Sequence, residues 1–284
     1  TTFNGGTVDV GITKFTADGS ALIFSTHIGG VIGSETPNSI VAADNGELYI
    51  FGVTSSSDFP MAGNPFDNSY NGGPNIPNTE TNSLGFTNGS DLYVARLNPT
   101  GTTLLSSTYV GGSDTDGINV SNLKFNYGDQ FRGEIILDDQ QNVYVASMTR
   151  SADFPTVAGP QGALSGTQDA VIFKMPPNLS SLIWSTYFGG SGSETGNSVQ
   201  VSSTGEVYVA GGTDSGSMPF NFGFDQTYDG STDGYLARFN GANGGILSGT
   251  YIGANEYDQA YFVQLDIDDR VYVLGQTETN LGVD

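Results

Sequence analysis

Four acidic residues recur at one position of an internal repeat. Each follows a repeated aspartate by 25 residues, with one extra residue in the first copy. They are Glu35, Asp116, Glu194 and Asp258. Carboxylate oxygens are ligands that Ca²⁺ prefers, and a chain with a formal charge of −22 attracts cations. These four are therefore our candidates for a Ca²⁺ site. The alternative is that each carboxylate accepts hydrogen bonds from nearby turn amides, which we favour because no D-x-D-x-D-G spacing occurs.

The sequence offers little material for nucleophilic catalysis. The chain has no cysteine and a single histidine, His27, which stands where three other copies of the repeat have tyrosine. Arrangements of Ser/His/Asp or Cys/His therefore lack their base or their nucleophile. We expect no catalytic residues and no cofactor other than Ca²⁺. Paired carboxylates, which polysaccharide-cleaving enzymes use, stay open as an alternative.

Aromatic residues lie in two long insertions, at residues 61–90 and about 119–133. They are Phe66, Tyr70, Phe86, Tyr127 and Phe131. Aromatic rings among Asn, Gly and Ser suit the recognition of a glycan or a protein surface, because binding residues are often carried on loops of a rigid scaffold. We name these five as candidate ligand-binding residues. The alternative is that the rings fasten each loop to its own sheet.

The elements that position these residues follow from the repeat itself. Each copy opens with an aspartate and a short apolar strand that carries a basic residue five positions later. The copies open at Asp9, Asp91, Asp169 and Asp233. A segment like Ser185-Thr186-Tyr187 follows, and each copy closes on a strand like Val207-Tyr208-Val209. With Gly, Asn and Asp marking the turns, this pattern predicts four short strands per copy.

The closing strands are apolar on both faces, which is typical of strands covered on both sides. Stacked blades of a β-propeller supply such cover. We therefore predict an all-β fold, a β-propeller with four four-stranded blades visible, and an arc of a seven- or eight-bladed ring. The regular aspartate and Lys/Arg are interpreted as pairs between blades. The connections after the second and fourth strands lie at one end, so that face carries the acids and both insertions.

These motifs resemble the SBBP repeat family of bacterial β-propellers. The likeness runs from Trp184-Ser185-Thr186-Tyr187-Phe188-Gly189-Gly190 to Met218-Pro219, and two copies also contain Asp-Phe-Pro, ending at Pro60 and Pro155. The fourth copy is looser, with Ala254 in place of the second glycine. The resemblance implies a propeller on a secreted or cell-surface bacterial protein, and it implies no catalytic residue.

Composition completes the functional expectation. Eight basic residues against 30 acidic ones disfavour binding to nucleic acid or to anionic lipid, and no apolar stretch is long enough to span a membrane. We expect residues 1–284 to form one propeller segment, with repeats at about 9–60, 91–155, 169–219 and 233–280, inside a longer parent chain. Its expected role is non-enzymatic display of loops to a protein or glycan partner outside the cell. A structural spacer of a large adhesin and a polysaccharide hydrolase or lyase are the alternatives.

Overall fold

A computed structural model describes residues 4–82, 84–126 and 128–278. It confirms the all-β fold. In these residues, the helical segments are one turn at Asn78–Thr81 (α1) and a 3-10 turn at Asp129–Phe131. The strands are β1 (Val10–Phe15), β2 (Leu22–Ile28), β3 (Glu35–Ala42), β4 (Leu48–Thr54), β5 (Asp91–Leu97), β6 (Leu104–Val110), β7 (Glu134–Leu137), β8 (Val143–Thr149), β9 (Asp169–Met175), β10 (Trp184–Phe188), β11 (Glu194–Val201), β12 (Glu206–Thr213), β13 (Asp233–Asn240), β14 (Ile246–Ile252), β15 (Asp258–Leu265) and β16 (Val271–Thr277). None of the described helices is long and apolar enough to cross a membrane.

The sheets do not coincide with the repeats, which corrects the prediction of four four-stranded blades. There are three four-stranded antiparallel sheets, β3–β6, β7–β10 and β11–β14, and two two-stranded sheets, β1–β2 and β15–β16. The last strand of each of the first three repeats pairs with the first strand of the next repeat, so each four-stranded sheet takes two strands from each of two copies. Threonine meets the repeated aspartate in this register, as in Thr54↔Asp91, Thr149↔Asp169 and Thr213↔Asp233. Among the described residues, the two terminal sheets do not join, and the series of sheets is not closed.

Each sheet packs against the next through its first strand. Strand β11 contacts β7, β8 and β9 of the preceding sheet, and β15 contacts β11, β12 and β13. The second strands lie inside this arrangement, and every residue of β8 is buried. Their Val and Tyr residues fill the apolar clusters between sheets, as the apolar pattern on both faces predicted.

The outer strand of each four-stranded sheet is covered by the segment that follows the Asp-Phe-Pro position. Residues 62–67 hydrogen-bond to β6, residues 157–161 to β10 and residues 222–225 to β14. The amide of Tyr187, for example, donates to the carbonyl of Gln161 at 3.1 Å. These segments satisfy main-chain groups that an exposed edge would leave without partners.

Candidate functional site

The repeated acids act as hydrogen-bond acceptors at one end of the sheets. Asp116 accepts bonds from the Gly112 amide at 2.8 Å and from the Ser151 hydroxyl at 3.0 Å, and it also accepts the Thr149 hydroxyl. Glu194 repeats this arrangement with the Gly190 amide at 3.1 Å and the Thr213 hydroxyl at 2.7 Å.

In the first repeat, Glu35 accepts the hydroxyls of Thr54 and Ser56. The closing threonine of each of these three repeats therefore holds the acid in place, which is the turn-amide and hydroxyl alternative that the sequence left open.

Each acid lies beside the aspartate that opens its repeat. A Cβ on Gly111 would lie 2.8 Å from Asp116 Oδ2 and 2.9 Å from Asp91 Oδ1, so this position has room only for glycine. Gly189 separates Glu194 from Asp169 in the same way. Asp91 in turn accepts the amides of the incoming loop, from Asn71 at 2.8 Å and from Gly72 at 2.9 Å. The pairs fix where the chain enters and leaves each sheet.

Burial of these paired carboxylates raises their pKa values. Loss of solvation raises the pKa of Asp91 to about 7, and the nearby charges of Asp67 and Asp153 add to the effect. Loss of solvation also raises the pKa of Glu194 to about 8, with the charge of Asp169 adding to it against the hydrogen bond from Thr213. The pKa of Asp116 is raised by the same cause. Near neutral pH the folded protein therefore holds protons in these pairs.

The fourth repeat is less complete. Asp258 accepts the Ala254 amide at 2.7 Å, and Asp233 accepts the Asp229 amide at 3.1 Å. The Oδ1 atoms of both carboxylates are buried without a hydrogen-bond partner in the structure. The four acids predicted as Ca²⁺ ligands lie in four separate repeats, and within the described residues no three Asp, Glu or His side chains are grouped to hold a metal ion.

The described aromatics that the sequence predicted to bind a ligand are buried or half-buried. Phe86 is fully buried, and its ring centroid lies 5.9 Å from that of the partly buried Phe131. Phe66 packs against the same apolar cluster. The Tyr70 ring lies 5.9 Å from that of Tyr109 in a tilted arrangement, and its hydroxyl donates to the carbonyls of residues 88 and 89. These rings anchor the loops, because burying them stabilises long segments that have little regular structure. Tyr127 lies outside the described residues.

The insertion at residues 119–133 turns inward rather than outward. Asp129 is fully buried, and its Oδ1 accepts the Arg132 guanidinium at 2.9 Å. The Arg132 guanidinium lies 4.4 Å from the ring centre of Tyr261 on β15. Asn126 donates to the hydroxyl of Tyr261 at 2.8 Å, and Asn38 on β3 donates to the carbonyl of residue 132. This insertion joins the first and last inner strands. We had expected it to be a display loop.

Sequence analysis missed Arg150, which lies on the loop-bearing face. It is exposed at the end of β8, and it lines two adjacent cavities of about 380 and 390 Å³. Six of the eight basic residues have a carboxylate within 4 Å, but Arg150 has none within the described residues. The only sequence signal was that Arg150 follows the closing threonine, where the other copies have Ser55, Asp214 and Glu278.

The two cavities beside Arg150, together with that side chain, form what we call the Arg150 cleft. Its lining is mostly polar and comes from five loops. Hydroxyl and amide side chains line it at Asn75, Thr115, Ser121, Asn122, Thr167, Gln168 and Ser193, and acids at Glu80, Asp114 and Asp214. A guanidinium among amides and hydroxyls can bind a carboxylate with two parallel hydrogen bonds.

A larger cavity of about 690 Å³ lies at the opposite end, between turns. Three of its charged groups, Asp138, Lys174 and Glu206, already have ionic partners within the protein. Lys174 lies 3.4 Å from Asp138 and 4.7 Å from the ring centre of Tyr144, and the Tyr144 hydroxyl donates to Asp138 at 3.1 Å. Three of the four repeated basic residues, Arg96, Lys174 and Arg238, therefore pair with acids of their own sheet, not between blades as the sequence suggested. The Arg150 cleft is the better candidate for binding.

Neither a protein-family model nor a curated protein matches this chain. Solved structures match at low identity. One is a protein of unknown function from Dyadobacter fermentans, with 12% identity and a TM-score of 0.43, matched over 89% of this chain and 58% of that one.

A second is an ulvan lyase of polysaccharide lyase family PL25, solved bound to -[GlcA(1-4)Rha3S]-, with 13% identity and a TM-score of 0.41 over 84% of this chain and 45% of that one. Another structure of a PL25 ulvan lyase matches with 13% identity and a TM-score of 0.38 over 87% of this chain and 52% of that one. This chain spans about half the length of the solved structures that it matches.

Proposed function

We propose that this chain is a segment of a bacterial, extracellular β-propeller that binds an acidic glycan in the Arg150 cleft without cleaving it. The propeller is supported by consecutive antiparallel sheets that pack through their first strands, and by the resemblance of the repeats to the SBBP family. The same resemblance supports the extracellular location.

The observation that carries the binding function is the guanidinium of Arg150. It is exposed between two cavities on a protein whose formal charge is −22, and no described carboxylate lies within 4 Å of it. A carboxylate on the ligand would supply the missing partner, and the surrounding amides and hydroxyls suit sugar hydroxyls. The neighbouring Glu80, Asp114 and Asp214 would repel a densely charged polyanion. The ligand class that fits is therefore a saccharide with isolated uronate groups.

Arg150→Ala tests this proposal directly. We expect the wild-type chain to bind uronate-containing oligosaccharides in calorimetry, and the variant to bind at least about tenfold more weakly, since a hydrogen bond to a charged group contributes about 1.5–3 kcal/mol. Arg270→Ala is the matched control, because Arg270 is exposed in the β15–β16 turn at the opposite end.

Three results would overturn the proposal. One is the absence of binding to any uronate-containing saccharide, which would favour a structural spacer. Another is equal affinity of wild type and Arg150→Ala. The third is shortening of the saccharide by the wild-type chain, lost on substitution of Asp114 or Asp214, which would favour a hydrolase or lyase.

A further inference from the structure

The insertion at residues 119–133 carries an exposed aromatic ring that sequence analysis did not select. Phe125 is 54% exposed, whereas Phe131 in the same insertion packs against an apolar cluster. The ring centres of Phe125 and Tyr257 are 4.4 Å apart, and the two ring planes differ by 24°. This stacking covers one face of the Phe125 ring, so the opposite face is open to solvent.

Tyr257 is a fixed support for the exposed ring. It is only 5% exposed, and its hydroxyl donates to the side-chain carbonyl of Gln259. The hydroxyls of Tyr257 and Tyr261 lie 2.9 Å apart, and the Tyr261 hydroxyl also accepts a hydrogen bond from Asn126, the neighbour of Phe125. The support under Phe125 is therefore in place before a ligand binds, which lowers the entropy lost on binding.

The same insertion forms one wall of the Arg150 cleft. Asn122 lines the cleft, and Phe125 follows three residues later. Because three residues of chain span at most about 11 Å, the ring lies close to this wall. Lys124, the residue before Phe125, donates to Glu80 at 2.9 Å, and Glu80 also lines the cleft. These contacts place Phe125 at the rim of the Arg150 cleft.

The surroundings of the ring suit a sugar better than an apolar protein surface. The C–H groups on the flat side of a pyranose carry a slight positive charge, and the face of an aromatic ring is slightly negative. The neighbours of Phe125 in the chain, Lys124 and Asn126, are polar. A protein partner would need a contiguous apolar patch of a few hundred Å² or more, which one ring among polar residues does not supply.

We propose that Phe125 is a sugar-stacking subsite at the rim of the Arg150 cleft. Its open face receives the apolar side of a pyranose, while a uronate in the same oligosaccharide pairs with Arg150. The subsite rests on the proposed function and deepens it, because the ligand must be an oligosaccharide long enough to reach from the guanidinium to the ring. A sugar with an axial hydroxyl on the stacking side fits less well, so the subsite also selects among pyranoses.

Oligosaccharide length tests the subsite. The probes are a hexasaccharide of alternating glucuronate and N-acetylglucosamine and the methyl glycoside of glucuronate, a single sugar. In calorimetry we expect Phe125→Ala to bind the hexasaccharide about three- to tenfold more weakly than wild type, and the single sugar equally well. Phe125→Leu, which keeps apolar bulk without a ring face, should show the same loss. Circular dichroism checks that each variant is folded.

Phe224→Ala is the matched control, because Phe224 is 95% exposed on the segment beside β14 and should not affect binding. Equal affinity of wild type and Phe125→Ala for the hexasaccharide overturns the subsite. If Arg150→Ala still binds more weakly in that case, the proposed function stands without the subsite.

A tryptophan at position 125 reports stacking directly. The single tryptophan of the chain, Trp184, is buried, so a ligand-induced change in emission comes from position 125. In Phe125→Trp we expect the saturating hexasaccharide to shift the emission to shorter wavelength. Cellohexaose, which has the same length and no charge, tests stacking without the uronate. A shift with cellohexaose and no loss of affinity in Arg150→Ala would overturn the proposed function alone, and no shift with either hexasaccharide would overturn the subsite.

Discussion

The third and fourth repeats end in strands of almost the same sequence, but the two strands differ in burial. In β12, Val207, Val209 and Ala210 are fully buried between β11 and β13. In β16, the residues of Val271–Thr277 are all exposed or half-buried. The sequences Glu-Val-Tyr-Val and Arg-Val-Tyr-Val do not explain this difference.

The comparison of β12 with β16 shows that the closing strand of a repeat is buried by strands of the next repeat. β12 is covered because β13 pairs with it and β15 packs on it. The acidic pairs of the two repeats also differ. In the third repeat Glu194 accepts the Thr213 hydroxyl and the Gly190 amide, while in the fourth the Oδ1 atoms of Asp233 and Asp258 have no hydrogen-bond partner among the described residues. One repeat is therefore not an independent unit of stability.

The largest effect should come from removing the matched tyrosines. We expect Tyr208→Ala to lower the free energy of unfolding by about 3–5 kcal/mol, because it empties a buried position. Tyr272→Ala should cost less than about 1 kcal/mol, because its ring is 60% exposed. Urea unfolding at low protein concentration measures both. Equal costs would contradict the view that neighbours supply burial.

The pH dependence of stability should separate the acidic pairs of the two repeats. The pKa of Glu194 is raised from 4.5 to about 8 by burial, so between these values the folded state binds more protons than the unfolded state. Its stabilising contribution is fully present below about pH 4.5 and is lost as the pH rises to about 8. A shift of one pKa unit corresponds to about 1.4 kcal/mol. We therefore expect the ionisation of Glu194 to lower the free energy of unfolding by about 2–4 kcal/mol over this pH range.

Two neutral variants identify the source of that fall. In Glu194→Gln, the decrease in unfolding free energy between about pH 4.5 and pH 8 should disappear. Asp233→Asn should act only up to about pH 6, because burial raises the pKa of Asp233 to about 6. Urea unfolding from pH 4 to pH 9 measures the profiles. If both variants depart from the wild-type stability curve over the same pH range, the two pKa values have been assigned to the wrong residues.

The smallest contrast concerns hydrogen bonds to the acids. At pH 5, Glu194→Ala should cost about 2 kcal/mol, because the Thr213 hydroxyl and the Gly190 amide lose their acceptor. Asp258→Ala should cost about 1 kcal/mol, since the Ala254 amide loses its acceptor. Thermal unfolding of the two variants compares them. A larger cost at Asp258 would show that its unpartnered oxygen has a role that this explanation omits.

Much of the fold could be predicted from the sequence because the repeat keeps its register. The spacing from Asp169 to Thr186 and on to the strand at Val207 located strands that the structure confirms. The grouping of strands into sheets could not be predicted in this way. A repeat can begin at any strand, and it takes strand pairings such as Thr213 with Asp233 to show that a sheet crosses the repeat boundary.

The candidate site was harder to predict because loops outside the repeat decide it. The sequence predicted Phe86 and Phe131 to bind a ligand because they lie in long polar insertions. In the structure their rings pack together, because a long loop without regular structure is stabilised by buried rings. Arg150 could not be predicted as a site residue because the other copies of the repeat have no arginine at its position. Arg150 is a candidate because no described carboxylate lies within 4 Å of its guanidinium, and the sequence does not show which side chains surround it in space.

The segments that run beside β6, β10 and β14 have a consequence for how such a protein can assemble. Because they satisfy the outermost main-chain groups, sideways growth into fibrillar sheets is blocked at each of these three strands. Addition of material is then directed to the two hairpins alone, along the direction in which the chain itself runs. An array of these repeats would therefore extend end to end rather than associate side by side.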